Sequence, residues 1–360
     1  MRFGDSVKQL RSCLIGVVVV ACSTAPVASP SVGSNPTPSP IAIAVTPTAA
    51  VTGAPTAVTN ATPSVIAAAA WSRGIYLQAV DPAIGFYASN TRLMSVTRTL
   101  QRAELHGEVA WLYLGPWSPD GTAVVGGDRT GASYVIWPDA LTKLPQTNWT
   151  WLDAATLTGV ILTTNNNVDL VRVDARSGQI QKREPLGAIG MSGAVVSPTG
   201  DWVAFSTAVP DSPGEAITLS PTQRVTSGPR TFPAGWLPDG RFVFIRQGAV
   251  TTVEARDPGR SDATVLGRFT TIIEALAQPS SAVVVVHDVR TNQLWTLRGG
   301  EPRAVPLQVT FTDQVMMDSI SRDGRTLTFS GPGNRTGTID LESGVVTYMC
   351  DAGCWRLVVN

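Results

Sequence analysis

Residues able to do acid–base or nucleophilic chemistry are few in this sequence. Only two histidines occur, His106 and His287, and they lie far apart. A lone histidine is more often a surface or hydrogen-bonded structural residue than a catalytic base. Residues 190–193 (Gly-Met-Ser-Gly) break the Gly-x-Ser-x-Gly pattern of a nucleophilic serine at its last position. The sequence therefore predicts no catalytic residue, no metal site and no cofactor.

The carboxylates that stand out are Asp120, Asp239 and Asp323, which occupy the same place in copies of one short motif. Recurrence with a repeat is typical of a structural turn, whereas a catalytic pair would break the repeat. Trp111, Trp137, Trp149 and Trp151 are likewise open to two interpretations. They could stack against a sugar, but the favoured prediction is that they fill interfaces inside the fold.

Two cysteines, Cys350 and Cys354, flank a three-residue loop that ends in Gly353. Glycine stands where a hairpin bulge needs a positive φ, and cysteines facing each other on such a hairpin would lie within bonding range. We expect a disulfide, because such pairs are oxidised outside the cytoplasm. Two free thiols are the alternative, and a metal site would need further cysteines or histidines nearby.

Charge and composition limit the classes of partner. Only 15% of residues are charged, Lys plus Arg equals Asp plus Glu at 27 each, and the isoelectric point is near 6.7. The chain has no basic surplus to neutralise phosphates, so nucleic acid is not expected as a partner. The 33 glycines and 26 prolines favour many short strands and turns over long helices.

The elements that must position these residues are repeated. A Ser-Pro-Asp-Gly type of turn recurs before short apolar strands, and weaker copies surround Asp153 and Pro279, with spacings of 34 to 45 residues. Serine first, proline second and glycine fourth suit a type I turn. The predicted turn residues are Ser118, Pro119, Asp120, Gly121, Ser197, Pro198, Gly200, Pro238, Asp239, Gly240, Ser321, Asp323 and Gly324.

Each repeat has room for four strands. After the second strand, residues 168–174 alternate apolar and polar, residues 175–178 form a turn, and residues 179–183 form a fourth strand. Four antiparallel strands in a repeat of about 40 residues form a β-propeller blade. We therefore expect an all-β propeller. Seven blades are favoured, with a closing blade built from residues 74–80, 92–98 and 355–359; six blades are the alternative.

These motifs resemble the TolB-like, or WD40-like, propeller repeats of bacteria, whose blades carry Trp-Ser-Pro-Asp-Gly before a strand. The resemblance covers residues 109–349. It implies a propeller whose loops and central channel bind a partner.

The N-terminal residues predict export. Arg2, Lys8 and Arg11 precede a short apolar run, as in a signal peptide. Residues 19–22 (Val-Val-Ala-Cys) resemble the lipobox of bacterial lipoproteins, which implies a signal peptide over residues 1–21 and a lipid on Cys22 that anchors the chain in the bilayer. An ordinary cleaved signal with an incidental cysteine is the alternative.

Residues 22–70 are expected to form a disordered linker. Between residues 23 and 70, 35 of 48 residues are Pro, Thr, Ser or Ala, and none is charged. Such a stretch cannot offset the entropy cost of ordering, and its reach would be roughly 40 to 150 Å. A bare spacer is favoured over one that carries O-linked sugar. The propeller domain is then expected over residues 71–360.

Together these features predict a membrane-anchored extracytoplasmic lipoprotein of the bacterial cell envelope. Its propeller is expected to be a non-enzymatic module that binds or scaffolds an envelope protein, a peptide or a glycan. The alternative is a propeller enzyme, a lyase or glycan hydrolase, with carboxylates paired at the channel mouth. A sensor ectodomain is disfavoured, because no membrane-spanning helix links the propeller to a cytoplasmic output.

Overall fold

The protein folds as a β-propeller of seven four-stranded antiparallel sheets. Every regular element among the described residues is a strand. These residues include no helix that could cross a membrane. The computed structural model describes residues 74–81, 90–96, 102–145, 147–163, 167–188, 192–207, 214–299, 301–311, 315–331, 335–350 and 352–359.

Six of the blades consist of four consecutive strands each. Blade 2 contains β4 (Trp111–Trp117), β5 (Val124–Asp128), β6 (Ser133–Ile136) and β7 (Leu141–Leu144). Blade 3 contains β8 (Trp149–Trp151), β9 (Thr156–Leu162), β10 (Asn167–Asp174) and β11 (Ile180–Ala188). Blade 4 contains β12 (Ser192–Val196), β13 (Val203–Thr207), β14 (Glu215–Leu219) and β15 (Arg224–Pro229).

The second half of the chain repeats this arrangement. Blade 5 contains β16 (Thr231–Trp236), β17 (Phe242–Arg246), β18 (Thr251–Arg256) and β19 (Thr264–Phe269). Blade 6 contains β20 (Ile273–Leu276), β21 (Val284–Asp288), β22 (Leu294–Leu297) and β23 (Arg303–Ala304). Blade 7 contains β24 (Met316–Ile320), β25 (Thr326–Gly331), β26 (Arg335–Asp340) and β27 (Val346–Cys350).

Blade 1 closes the ring with strands from both parts of the chain. Its strand order is β28 (Cys354–Val359), β1 (Gly74–Ala79), β2 (Thr91–Val96) and β3 (Arg102–Leu105). β28 therefore takes the place that the first strand has in every other blade. This confirms the prediction of seven blades with a composite closing blade, and the six-blade alternative is wrong.

The first strands of the blades lie at the centre of the propeller. First strands of neighbouring blades contact one another at β28/β4, β4/β8, β8/β12, β16/β20 and β24/β28. We call β28, β4, β8, β12, β16, β20 and β24 the inner ring. Within its own sheet each of these strands pairs on one side only, and its other edge faces the central channel. β16 also makes one isolated bridge to the next blade, from Gly235 to Ala277.

The two ends of the propeller differ in the connections they carry. The turns that join first to second strands share one end, which we call the turn face; the opposite end is the loop face. Gly74 of β1 pairs with Val359 of β28 at the turn face. The described chain thus enters and leaves the propeller side by side at that face.

The core consists of seven apolar clusters, one at each interface between neighbouring blades. Successive residues of a strand point to opposite faces of its sheet. Val124 of β5 accordingly packs against blade 1, whereas Val125 packs against blade 3. Because both sheet faces are buried, second strands such as β5 and β21 are buried along their whole length.

Candidate functional site

The inner ring carries little charge. Across the residues of its seven strands, the ionised side chains are Glu274 on β20, Asp318 on β24 and Arg356 on β28. The other residues are apolar, small or hydroxyl-bearing. Ring closure places two of the three charges, Asp318 and Arg356, on adjacent strands.

Asp318 joins blade 7 to the closing strand. Its side chain is only 3% exposed, and its Oδ2 accepts hydrogen bonds from Ser330 Oγ at 2.5 Å and from the backbone N–H of Leu357 at 3.3 Å. Burial raises the pKa of Asp318 to about 6, against the opposing effects of Arg356 and these hydrogen bonds. The carboxyl group therefore holds the backbone of β28, at the cost of burying a charge.

Arg356 sits at a bulge in the closing strand. The register between β1 and β28 shifts between Ile75 and Leu77, so two residues of β28 oppose one of β1. Arg356 has a φ of 53°, in a region that non-glycine residues seldom adopt. Its backbone N–H donates to Ser330 Oγ at 3.0 Å. The bulge thus turns the arginine away from regular strand pairing.

Glu274 is committed to an internal partner. Its Oε2 lies 3.6 Å from Nδ1 of His287, whose side chain is fully buried. Nε2 of His287 lies 3.0 Å from Oδ1 of Asn292, and Nδ2 of Asn292 donates to the carbonyl of Phe311. Because the amide is oriented by Phe311, Nε2 must donate to Asn292 Oδ1. His287 is therefore a structural residue between blades 6 and 7, shielded from solvent.

The other histidine is also part of the structure. Nε2 of His106 lies 2.9 Å from the carbonyl oxygen of Trp137, and its Nδ1 lies 3.6 Å from Glu108. Neither histidine lies beside a serine or cysteine that it could activate among the contacts of the described residues. Within those residues no cluster of His, Cys, Asp and Glu could hold a metal ion.

The predicted turn residues form the turns that join inner-ring strands to second strands. In the first turn, Gly121 N–H donates to the carbonyl of Ser118, and Ser118 Oγ donates to Asp120 Oδ1 at 2.6 Å. In the last turn, Gly324 N–H donates to the carbonyl of Ser321, whose Oγ donates to Asp323. The glycines have φ values of 69° to 85°, which explains their selection.

Two of these aspartates accept hydrogen bonds from the serines of their own turns. The hydrogen bond from Ser321 is the main reason that the pKa of Asp323 is lowered. In the turn of blade 4, Thr199 replaces the aspartate, and its Oγ1 lies 3.0 Å from Ser197 Oγ. The turn of blade 5, with Pro238, Asp239 and Gly240, keeps the bond from Gly240 N–H to Leu237.

Tryptophans fill the blade interfaces, in agreement with the favoured interpretation. Trp111, Trp137, Trp149 and Trp151 are all buried. Nε1 of Trp151 donates to the carbonyl of Pro116 in the preceding blade at 3.0 Å. These rings are therefore not presented as a sugar-stacking platform.

Cys350 and Cys354 form a disulfide with a Cα–Cα distance of 6.1 Å. The expected hairpin is wrong, however, because β27 and β28 belong to different sheets. The loop between the cysteines carries the chain from the outer strand of blade 7 to the inner strand of blade 1. Gly353 does have the expected positive φ, 69°. The disulfide thus stands at the entry to the closing strand.

The N-terminal predictions lie outside the described residues. These are the signal peptide over residues 1–21, the lipidated Cys22 and the linker over residues 22–70.

Sequence reasoning missed the pairing of Asp318 with Arg356. The available signal was one charged residue inside each of two short apolar strands, Met316–Ile320 and Cys354–Val359.

No family model matches the sequence, and no curated protein matches it. Solved structures do resemble it. An oligogalacturonate lyase from Vibrio parahaemolyticus aligns with a TM-score of 0.50 and 11% identity over 68% of this chain and 81% of the lyase. TolB from Acinetobacter baumannii aligns with a TM-score of 0.46 and 14% identity over 81% of this chain and 67% of TolB.

A third similar structure is the acylaminoacyl peptidase of Pyrococcus horikoshii, with a TM-score of 0.49 and 10% identity over 73% of this chain and 48% of the peptidase. All three identities are low, so the likeness is one of fold. A fold by itself does not decide activity. The chain is an all-β, seven-bladed propeller whose structural neighbours include TolB.

Proposed function

We propose that this protein is a non-enzymatic binding module, with the central channel and its mouth as the docking site. The observation that carries the proposal is the chemistry of the inner ring. Its two carboxylates, Asp318 and Glu274, are each engaged by internal partners. A glycan hydrolase would need two carboxylates facing a common substrate. The inner ring supplies instead open backbone edges, apolar side chains and one arginine.

The turn-face end of the channel offers an accessible surface. Pro116, near the end of β4, is exposed although it lies on an inner-ring strand. Propellers bind partners through the loops and strand ends around the channel. We propose an envelope protein or peptide as the partner.

We further propose that the protein is anchored outside the cytoplasm by a lipid on Cys22. The linker would join the propeller at the turn face, because Gly74 pairs with Val359 there. Mass spectrometry of the mature N-terminus tests the anchor. A diacylglycerol-modified Cys22 supports it, and an unmodified Cys22 or cleavage elsewhere overturns it.

Capture from solubilised native membranes tests the binding role, with the full-length protein as bait. Pro116→Trp places a bulky ring at the channel mouth. Pro185→Trp is the matched control, because Pro185 is an exposed proline on β11, the outermost strand of blade 3.

We expect wild type and P185W to retain the same partner and P116W to lose it. Equal capture by P116W and P185W would show that the channel mouth is not the docking site. Capture of nothing above a blank resin would remove the binding role itself.

A further inference from the structure

Arg356 has hydrogen-bonding capacity that the described residues do not use. Its guanidinium has five N–H donors, yet among the described residues it donates no hydrogen bond, and Nη1 only approaches Asp318 Oδ1 at 4.0 Å. Buried Arg256 shows the contrast, because its guanidinium donates to the hydroxyls of Thr218 and Ser227 and to several carbonyls. The fold thus uses the donors of Arg256, whereas Arg356 has among the described residues only its ion pair with Asp318.

Arg356 lies on an inner-ring strand that borders the central channel. It lies in the middle of β28, with β1 paired on the outer edge of that strand and blades 2 and 7 on either side. Its side chain is nonetheless 23% exposed. The solvent it meets is therefore in the central channel, where it is the single cation of the inner-ring strands.

The backbone of Arg356 pays a conformational cost for this position. A φ of 53° is unfavourable for arginine and natural for glycine. Ser330 and Asp318 hold the bulge by accepting the N–H groups of Arg356 and Leu357. The fold thus keeps an arginine where glycine would fit better, which points to a role for the side chain.

The surroundings of Arg356 favour an extended peptide over a sugar. Outside the bulge of β28 and the Gly235–Ala277 bridge, the inner-ring strands present backbone edges able to pair with an extended chain. Their partly exposed residues include Leu112, Pro233 and Ala275, which are apolar. Trp111 and Trp151 are buried, and the partly buried Trp117 and Trp355 pack against the apolar cluster between blades 1 and 2. A single cation in such a channel is complementary to one carboxylate.

We propose that Arg356 binds a carboxylate group of an extended apolar peptide that enters the central channel. The inference rests on the proposed binding function and specifies its ligand. Arginine suits this role, because its planar fork donates two parallel hydrogen bonds to a carboxylate.

Calorimetric titration of the full-length protein tests the proposal. The probe is an acetylated valine–alanine–valine–alanine–valine peptide with a free C-terminal carboxylate, and its C-terminal amide is the matched ligand. We expect the amide to bind about tenfold more weakly or worse, because a charged hydrogen bond is lost. A digalacturonate disaccharide is the comparison ligand, because it carries its carboxylates on a sugar and not on a peptide.

Arg356→Gly separates binding from folding. Glycine accepts the φ of 53° without strain, so we expect R356G to fold, with a melting temperature lowered only by the loss of the charged neighbour of Asp318. We expect the same variant to lose the preference for the acid over the amide. Arg183→Gln, which changes an exposed arginine on outer strand β11, is expected to bind both peptides as wild type does.

Three outcomes would overturn the inference. These are equal binding of acid and amide by wild type, an unchanged preference in R356G, and tighter binding of digalacturonate than of the peptide. Capture from solubilised membranes with R356G as bait distinguishes a failure of the role of Arg356 from a failure of the proposed binding function. If P116W loses the partner and R356G keeps it, the binding role stands and the role of Arg356 falls.

Discussion

Arg322 in the turn of blade 7 donates a hydrogen bond from Nη1 to the carbonyl oxygen of Pro119 in the turn of blade 2, at 2.7 Å. These blades are not neighbours, because blade 1 stands between them. Blade 1 has no turn of its own at this face, since its first two strands, β28 and β1, come from opposite ends of the described chain. The arginine therefore spans the one gap in the ring of turns.

Loss of this bridge should cost little but measurable stability. We expect Arg322→Ala to lower the free energy of unfolding by about 1 kcal/mol, because the bond joins a charged donor to a partly solvated carbonyl. Urea denaturation measures the change. Arg303→Ala, at an exposed arginine on β23, is the control and should stay within about 0.5 kcal/mol of wild type. Equal effects of the two variants would show that the bridge contributes nothing.

The ring itself was predictable, because each of its parts has a local signal. The Ser-Pro-Asp-Gly turns recur at a blade-sized spacing, and unpaired strands at both ends of the sequence required a composite blade. The bridge from Arg322 was not predictable, since it joins residues 203 positions apart. Arg322 stands where other copies of the turn have Pro119, Pro198 or Pro238. Local spacing cannot show that its side chain reaches across the missing turn of blade 1.

The Cys350–Cys354 loop shows the same limit from another side. A short loop with glycine before the second cysteine indicates a hairpin, because hairpins are the commonest fold of such a loop. Pairing of β28 with β1 prevailed, since ring closure buries the cluster that includes Tyr76, Met349 and Leu357. The pairing of Asp318 with Arg356 depends on the same closure, and for that reason the sequence did not reveal it.

The disulfide should stabilise the closing strand. Its loop is short, so the entropy lost by the unfolded chain corresponds to about 2 kcal/mol. We expect reduction of the wild-type protein, or the double change Cys350→Ser and Cys354→Ser, to lower the free energy of unfolding by about this amount. Urea denaturation with and without reductant measures it. The double variant should not respond to reductant, and an unchanged midpoint in reduced wild type would contradict a stabilising role.

Asp318 should make stability depend on pH between about 4 and 6. Burial raises its folded pKa to about 6, above the ordinary value of 3.8. Its contribution to stability is therefore fully present below the unfolded pKa and is lost as the pH rises through the folded pKa. The difference corresponds to at most about 3 kcal/mol. We expect the difference in free energy of unfolding between wild type and an Asp318→Asn variant to shift in favour of wild type as the pH falls from neutral towards 4.

Asp318→Asn should flatten this pH dependence and raise stability at neutral pH, because the amide is uncharged. Asp323→Asn is the opposing control. The pKa of Asp323 is lowered, first by the hydrogen bond from Ser321, so its contribution is present above the unfolded pKa and is lost in acid. We expect D323N to reduce stability at neutral pH. Parallel pH profiles for wild type and D318N would contradict the assignment.

Gly324 lies in the turn of blade 7, where the turn packs closely against blade 6. It has a φ of 69°, and a Cβ added to it would lie 2.5 Å from Cγ2 of buried Val283 in blade 6. Gly299 also has a positive φ, 80°, but an added Cβ there would meet nothing within 4 Å.

Alanine at both positions separates backbone strain from steric overlap. We expect Gly299→Ala to cost about 1 kcal/mol, from backbone conformation alone. Gly324→Ala should cost about 1 to 3 kcal/mol more, because Val283 must shift within a packed interface. Both costs are measured as changes in the free energy of unfolding in urea. If the two variants lose equal stability, the turn of blade 7 does not press against blade 6, and only the positive φ accounts for the choice of glycine.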